Sequence, residues 1–312
     1  MQILKAFFRL IRWPNLVFIA LTQYLFYYCV LVPAFRDSNL APALGPRQLL
    51  LLSVASVLIA AAGYIINDYF DVNIDLINKP DKLIVDKYIS RRWAMWWHGF
   101  LSLTGVALST YLGWKLHFLS LPLLNLACVM LLFLYSVSLK RQILTGNILI
   151  SLLTAWVVGV LLAIGVHDDL LRHLGPQVNY ARFARIGVLY AVFSFIISMI
   201  REVVKDMEDT EGDARNGCRT LPIAWGFTTA KVFVGTWLVV LIGALAIVQV
   251  YVLYFHMYLS AWYGFLLIEL PLLYVFQSLV RARTSSDYHR ISSLVKIIML
   301  FGILSMLFFL YY

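Results

Sequence analysis

Two stretches of an otherwise apolar chain concentrate its acids. "NDYFDVNID" (Asn67 to Asp75) carries Asp68, Asp71 and Asp75. "DMEDTEGD" (Asp206 to Asp213) carries Asp206, Asp209 and Asp213 at the same D-x-x-D-x-x-x-D spacing, each 138 positions after its counterpart. If the preceding helix continues through the first stretch, Asn67, Asp71 and Asp75 fall at i, i+4 and i+8 on one face, with Asp68 beside Asn67. Glu202, Asp206, Asp209 and Asp213 are spaced 4, 3 and 4, and on a continuous helix they too share a face. Like charges this close repel and raise one another's proton affinity unless a cation sits among them. Oxygen donors without His or Cys favour Mg²⁺ or Ca²⁺ over zinc. An EF-hand is excluded: Asp71-x-Asn73-x-Asp75 begins like one, but Leu76 stands where Gly is needed and Lys82 where a bidentate Glu is needed. One such cluster reads equally well as a solvated loop beside a membrane; two with one spacing argue against that. Mg²⁺ takes one or two carboxylates and completes its shell with water and substrate phosphates. Two carboxylate sets sharing Mg²⁺ therefore point to a diphosphate substrate.

The elements that position these acids are read from the apolar background. Of 312 residues, 62% are hydrophobic and 13% charged, against roughly 25% charged in soluble domains. This composition is that of an all-α integral membrane protein. A span needs about 20 mostly apolar residues, and nine stretches qualify: 14–34, 48–67, 92–112, 117–137, 145–166, 185–204, 228–250, 252–277 and 290–311. The junction near Tyr251 is the least marked. Nine spans put 19 of the 25 Lys and Arg residues on the side of the N-terminus and the even-to-odd loops. That side is cytoplasmic by the positive-inside rule, and an eight-span count breaks the partition. Eleven of the 16 acids lie in two loops of that side. The expectation is a single domain over 1–312, with a weak repeat of helices 1–4 and 5–8 plus helix 9, and an aspartate-lined cavity opening to the cytoplasm. In a bacterium the membrane would be the inner one. "MQILKAFFRLIRWPN" is basic and amphipathic and runs into the first span, so it is not read as a cleavable leader. The net charge of +9 fits orientation and anionic lipid contact, with no nucleic-acid partner. Cys29, Cys128 and Cys218 form neither a metal spacing nor a disulfide framework.

"NDYFDVNIDLINKPDK" and "REVVKDMEDTEGDARNGCRTLPI" resemble the two aspartate-rich motifs of the UbiA-type membrane prenyltransferases, and "YSVSLKR" (Tyr135 to Arg141) resembles the family's basic motif after span 4. The resemblance implies Mg²⁺-dependent transfer of a prenyl group from a prenyl diphosphate to a lipophilic acceptor, in contact with membrane lipid and without an obligate protein partner. It implies that Asp71, Asp75, Asp209 and Asp213 are catalytic through the metal. Asn67, Asp68 and Asp206 join them in the metal set, Asn67 and Asp68 either ligating directly or orienting a metal-bound water. Diphosphate binding falls to Asn67, Lys140, Arg141, Arg201, Lys205 and Lys82, with Arg12 and Asn15 as further candidates. Lys82 departs from the family, where many members carry Arg in an R-P-x-R-P segment, so the charge is kept and the bidentate fork lost. Each of these cations reads alternatively as a lipid-headgroup anchor. Tyr64, Tyr69, Phe70, Tyr135 and Tyr190 lie at depths where a ring face could stabilise an allylic cation, or they belong to an interfacial belt.

The second motif, "KDMEDTEGD…RTLP", looks most like the ether-lipid branch of that family, which implies O-alkylation of geranylgeranylglyceryl phosphate. The alternative within the family is C-prenylation of an aromatic acceptor such as 4-hydroxybenzoate. The alternative outside it is a cation-coupled transporter, but both acid motifs lie on one side in the same orientation, whereas transport sites favour the midplane and broken helices. Glu269, inside a span, is a functional candidate by position but reads better as a structural carboxyl beside Pro271. The six histidines, His98, His117, His167, His173, His256 and His289, show no ligand spacing.

Overall fold

The structure, a computed structural model, describes residues 2–36, 40–172 and 180–311. Among them the long elements are all helical. The amphipathic α1 (Gln2–Leu10) precedes α2 (Trp13–Phe26), which passes through a π-helical turn at Tyr27–Leu31 into α3 (Val32–Arg36). Then follow α4 (Pro46–Asn78), α5 (Arg91–Lys115), α6 (Ser120–Val137), α7 (Thr145–Arg172) and α8 (Tyr180–Glu208). The short α9 (Thr210–Arg215) leads to α10 (Leu221–Tyr254). A second π-turn, Phe265–Glu269, joins α11 (Tyr258–Gly264) to α12 (Leu270–Arg281), and α13 (Ser285–Leu304) and α14 (Phe308–Tyr311) end the chain.

Eight helical stretches among the described residues are long and apolar enough to cross a membrane. The ninth expected span, at 92–112, lies within α5, 25 residues long, whose Arg91, Arg92, His98 and hydroxyl-bearing residues dilute its hydropathy. The junction expected near Tyr251 falls at residues 255–257, because α10 runs through Tyr251 to Tyr254 and α11 starts at Tyr258. Large apolar side chains stand bare on the helices, among them Leu103, Leu123, Ile247 and Tyr254. That is the surface of a protein whose solvent is lipid, and the chain is an integral, multi-pass membrane protein.

The chain forms two compact units, 1–140 with 157–187, and 141–156 with 188–312. In the first, Ala6 and Leu10 of α1 pack with Ile65 and Val72 of α4, Val85 of the following loop and Ala94 of α5. The small-residue stretch Ala60–Gly63 lets neighbours approach closely. A Cβ on Gly63 would lie 2.8 Å from Leu132, and one on Gly105 would lie 2.8 Å from Ile59 and 3.2 Å from the Ala55 carbonyl. Membrane helices depend on such contacts because lipid supplies no hydrophobic drive between them. In the second unit, Ile200 and Val204 of α8 pack with Leu221 and Val234 of α10, Leu272 of α12 and Val295 of α13. A capping box between Thr284 and Asp287 starts α13.

The close α4–α5 approach gives a direct test. Gly105→Val should cost about 1–3 kcal/mol, read as a lower thermal midpoint in detergent. Gly99→Ala, with nothing within 4 Å of the added Cβ, should leave the midpoint unchanged or raise it. Equal midpoints for the two variants would contradict the approach.

Candidate active site

The first acid stretch is presented by α4. Its 33 residues span about 50 Å at ~1.5 Å each, against a hydrocarbon core of ~30 Å. The turns beyond Asn67 therefore project past the apolar slab. The helix is continuous through Asn78, so the shared face of Asn67, Asp71 and Asp75 is realised. Asn67 Nδ2 donates to Asp71 Oδ2 at 2.7 Å, and Lys140 pairs with Asp71 Oδ1. Both side chains of that pair are largely buried, 9% exposed for Lys140 and 16% for Asp71. The Arg12 guanidinium donates to Asp68 Oδ1 at 2.7 Å and lies over the Tyr64 ring at 5.1 Å. It reaches there because Arg12, between α1 and α2, adopts a left-handed backbone (φ 50, ψ 51). Burial raises the Asp68 carboxyl above its usual range, and Arg12 opposes the rise. Burial, reinforced by the charges of Asp71 and Asp68, lifts Asp75 to about 6.

The second stretch has a different backbone. The expectation of one continuous helix is corrected: α8 stops at Glu208 and α9 restarts at Thr210, with Asp209 at the junction (φ −95, ψ 8). Asp and Thr are N-cap residue types, and Glu211 and Asp213 sit in the first turn of α9, where acids are favoured. Asp209 N still bonds Lys205 O at 2.9 Å, and Asp213 N bonds Asp209 O at 3.2 Å. Asn147, one turn into α7, donates from Nδ2 to Asp206 Oδ2 at 2.8 Å. Asp206 lies past the expected span 185–204. Burial pushes its carboxyl well up; the Asn147 hydrogen bond opposes this, while Glu202 and Asp213 add to it.

Of the expected phosphate-binding cations, Lys140 and Arg12 are drawn onto aspartates of the first motif, Asp71 and Asp68. Arg201 pairs with Glu202 at 2.9 Å and Lys205 with the same carboxylate at 3.7 Å. Arg141 is exposed, and its main-chain oxygen accepts from Arg219 N at 2.7 Å. Lys82 is in a 3₁₀ turn, Pro80–Lys82; its side chain lies outside the described residues. Glu269 is buried in the second π-turn, and its Oε1 has no hydrogen-bond partner among the described residues. Sequence reasoning missed Asn147; its only signal was an amide in the first turn of an apolar helix, "TGNILIS".

Whether these residues suit Mg²⁺ can be judged from the donors. Among the described residues no three His, Cys, Asp or Glu side chains gather as a ready metal cage. Among the described residues the Asn67 Oδ1 atom, however, is buried without a partner, beside carboxylates held by Lys140 and Arg12. An orphaned carbonyl oxygen among carboxylates suits a hard cation that keeps water and phosphate in its shell. The residues fit.

The UbiA prenyltransferase family profile matches residues 16–308, and the chain belongs to that family. It is 35% identical over 195 residues to digeranylgeranylglyceryl phosphate synthase of Methanothermobacter thermautotrophicus, covering 62% of this chain and 61% of that protein. The synthase of the same name from Methanosphaera stadtmanae is 26% identical over 83% of this chain and 86% of its own length. The chain thus spans about three fifths of the first relative and most of the second. Among solved structures, one described as digeranylgeranylglyceryl phosphate synthase in membranes has a TM-score of 0.59 at 24% identity, covering 98% of both chains. A UbiA homolog from Archaeoglobus fulgidus bound to GPP and Mg²⁺ has a TM-score of 0.60 at 13% identity, covering 96% of this chain and 99% of its own.

Asn147→Leu keeps the amide's shape but leaves Asp206 buried without its donor. It should cost about 1–3 kcal/mol, read as a lower thermal midpoint than wild type. An unchanged midpoint would contradict the placement of Asn147 on Asp206.

Proposed function

We propose that this chain transfers a geranylgeranyl group from its diphosphate to the free hydroxyl of geranylgeranylglyceryl phosphate, with Mg²⁺ as cofactor. Family membership and the names of the relatives support the reaction and the acceptor. The observation that carries the diphosphate reading is the half-buried Asn67–Asp71–Lys140 group, in which an ammonium, a carboxylate and a carbonyl oxygen with no partner among the described residues stand together at the end of a spanning helix.

In this reading Asn67, Asp68, Asp71 and Asp75, and Asp206, Asp209 and Asp213, are the residues that would hold the ion. When bound, it would act as Lewis acid and template on the leaving diphosphate. Lys140 reaches a phosphate oxygen by rotating away from Asp71, exchanging one charge-assisted contact for another. Arg201 and Lys205 do the same only by leaving Glu202, and Arg141 and Lys82 complete the cationic set. Arg12 pairs with Asp68 and favours its charged form against burial. The prenyl tail, being apolar, lies against helix faces that lipid would otherwise cover, which shields the reacting carbon from water. The bond between the first prenyl carbon and the diphosphate oxygen breaks, and the glycerol hydroxyl oxygen bonds that carbon. The hydroxyl proton passes to a carboxylate or to the departing diphosphate. The distribution of Lys and Arg supports placing the N-terminus and both acid motifs on the cytoplasmic side, and the expected aspartate-lined cavity opening there belongs to the same proposal.

The test uses protein purified in detergent with Mg²⁺ and radiolabelled geranylgeranyl diphosphate, offered geranylgeranylglyceryl phosphate and, separately, 4-hydroxybenzoate. The expected result is lipid product from the first acceptor, falling to background with EDTA and in Asp71→Ala and Asp209→Ala. Product from the aromatic acceptor alone would overturn the acceptor and leave the diphosphate chemistry standing. Product unaffected by either substitution would overturn the role of both motifs.

A further inference from the structure

The second acid motif is interrupted at Asp209, and the residue before the interruption is held from outside. Glu208 ends α8, and its side chain is 7% exposed. Three residues of α13 converge on it. His289 Nδ1 lies 2.9 Å from Glu208 Oε1, Ser285 Oγ donates to the Glu208 main-chain oxygen at 2.9 Å, and Ser292 Oγ lies 3.4 Å from Oε2, its proton divided between that oxygen and the His289 main-chain oxygen at 3.1 Å. Ser285, His289 and Ser292 are spaced i, i+4 and i+7, a single face of α13. That face starts at a well-defined helix end, because the Thr284–Asp287 capping box fixes the first turn.

This contact differs from an ordinary surface ion pair. The main-chain oxygen at the end of α8 is one of the carbonyls a helix terminus leaves without an intrahelical partner, and Ser285 satisfies it. The carboxylate is withdrawn from water, and two donors of one neighbouring helix share it. On the other side of the same turn, Asp206 is fixed by Asn147. The last turn of α8 is therefore tied on both sides, immediately before the bend that aims Asp209. The first motif lies within one unbroken helix and has no such bend to secure.

We propose that Glu208, gripped by the first turns of α13, is a positioning residue that sets the geometry of Asp209 for metal and diphosphate binding. The claim rests on the reading of Asp209 as a metal ligand. Ligand carboxylates must be held to about half an ångström to be effective, and loss of an outer support of this kind costs 10–100-fold in metal affinity. His289, which showed no ligand spacing in the sequence, acts here through Glu208.

The experiment is a titration of the detergent-purified full chain with Mn²⁺ in the presence of inorganic diphosphate, followed by electron paramagnetic resonance. Wild type, Glu208→Ala, Glu208→Gln, His289→Ala and Asp209→Ala are compared, with a thermal midpoint for each. Wild type should bind Mn²⁺ in a manner that Asp209→Ala abolishes. Glu208→Ala should raise the half-saturating Mn²⁺ roughly 10–100-fold. Glu208→Gln, which still accepts from Ser292, should recover most of that loss. His289→Ala, at a mostly exposed position that tolerates truncation, should give an intermediate rise with an unchanged midpoint. Wild-type-like Mn²⁺ binding in Glu208→Ala or His289→Ala would overturn the positioning role while leaving the metal site intact. Wild-type binding that Asp209→Ala does not weaken would overturn the metal reading of Asp209 and the positioning role with it.

Discussion

A carboxylate drawn out of water at the edge of a bilayer must meet a cation or a strong donor, or take up a proton. Every aspartate with a described side-chain partner in the two motifs shows that demand being met. Asp71 is answered by Lys140 and the Asn67 amide, Asp68 by Arg12, and Asp206 by the Asn147 amide. Where the answer is partial the carboxyl is pushed up: Asp75 to about 6 by burial and its acidic neighbours, and Asp206 well up by burial despite its amide donor. Much of the architecture serves this one constraint. The length of α4 carries the first motif clear of the hydrocarbon, and the left-handed turn at Arg12 brings a guanidinium back over it. On the proposed function, the same cations and the Asn67 carbonyl oxygen are the groups a metal and a phosphate would take over.

The two motifs share a spacing but not a solution. In the first, one uninterrupted helix sets the face, and the partners arrive from α2 and from the segment after α6. In the second, the helix breaks at Asp209, and order is restored by side chains of α7 and α13. A repeat in sequence has thus diverged in backbone, and the residues that support each copy are unrelated to one another: Arg12 and Lys140 for one, Asn147 and Glu208 with its α13 partners for the other. Identical spacing alone does not make two acidic faces equivalent.

The all-helical fold and the identity of the acids were legible because both are local and periodic. Long apolar stretches must pair their backbone within a helix when water is absent, and Asn67, Asp71 and Asp75 needed only the helical repeat to share a face. The break at Asp209 was less visible, although Asp209–Thr210 followed by Glu211 and Asp213 is the kind of sequence that starts a helix. The contacts that hold the aspartates were not legible. Arg12 is 56 positions from Asp68, Asn147 is 59 from Asp206, and His289 is 81 from Glu208. No spacing rule links residues so far apart, and a lone Asn or His in a membrane helix is more often structural. The sequence offered the cations as candidates but not their present partners: Glu202 claims Arg201 and Lys205, and only tertiary structure reveals it.

The central claim is that the acidic motifs bind an anionic diphosphate through a divalent cation rather than directly. The most direct test is calorimetric titration of a non-hydrolysable geranylgeranyl diphosphate analogue into the detergent-purified chain, with Mg²⁺ and with EDTA. The account predicts saturable binding in Mg²⁺ and none in EDTA, because the six aspartates of the two motifs repel an uncompensated diphosphate. Equal affinity in the two conditions would contradict it, and would mean that Lys140 and its neighbouring cations alone hold the substrate.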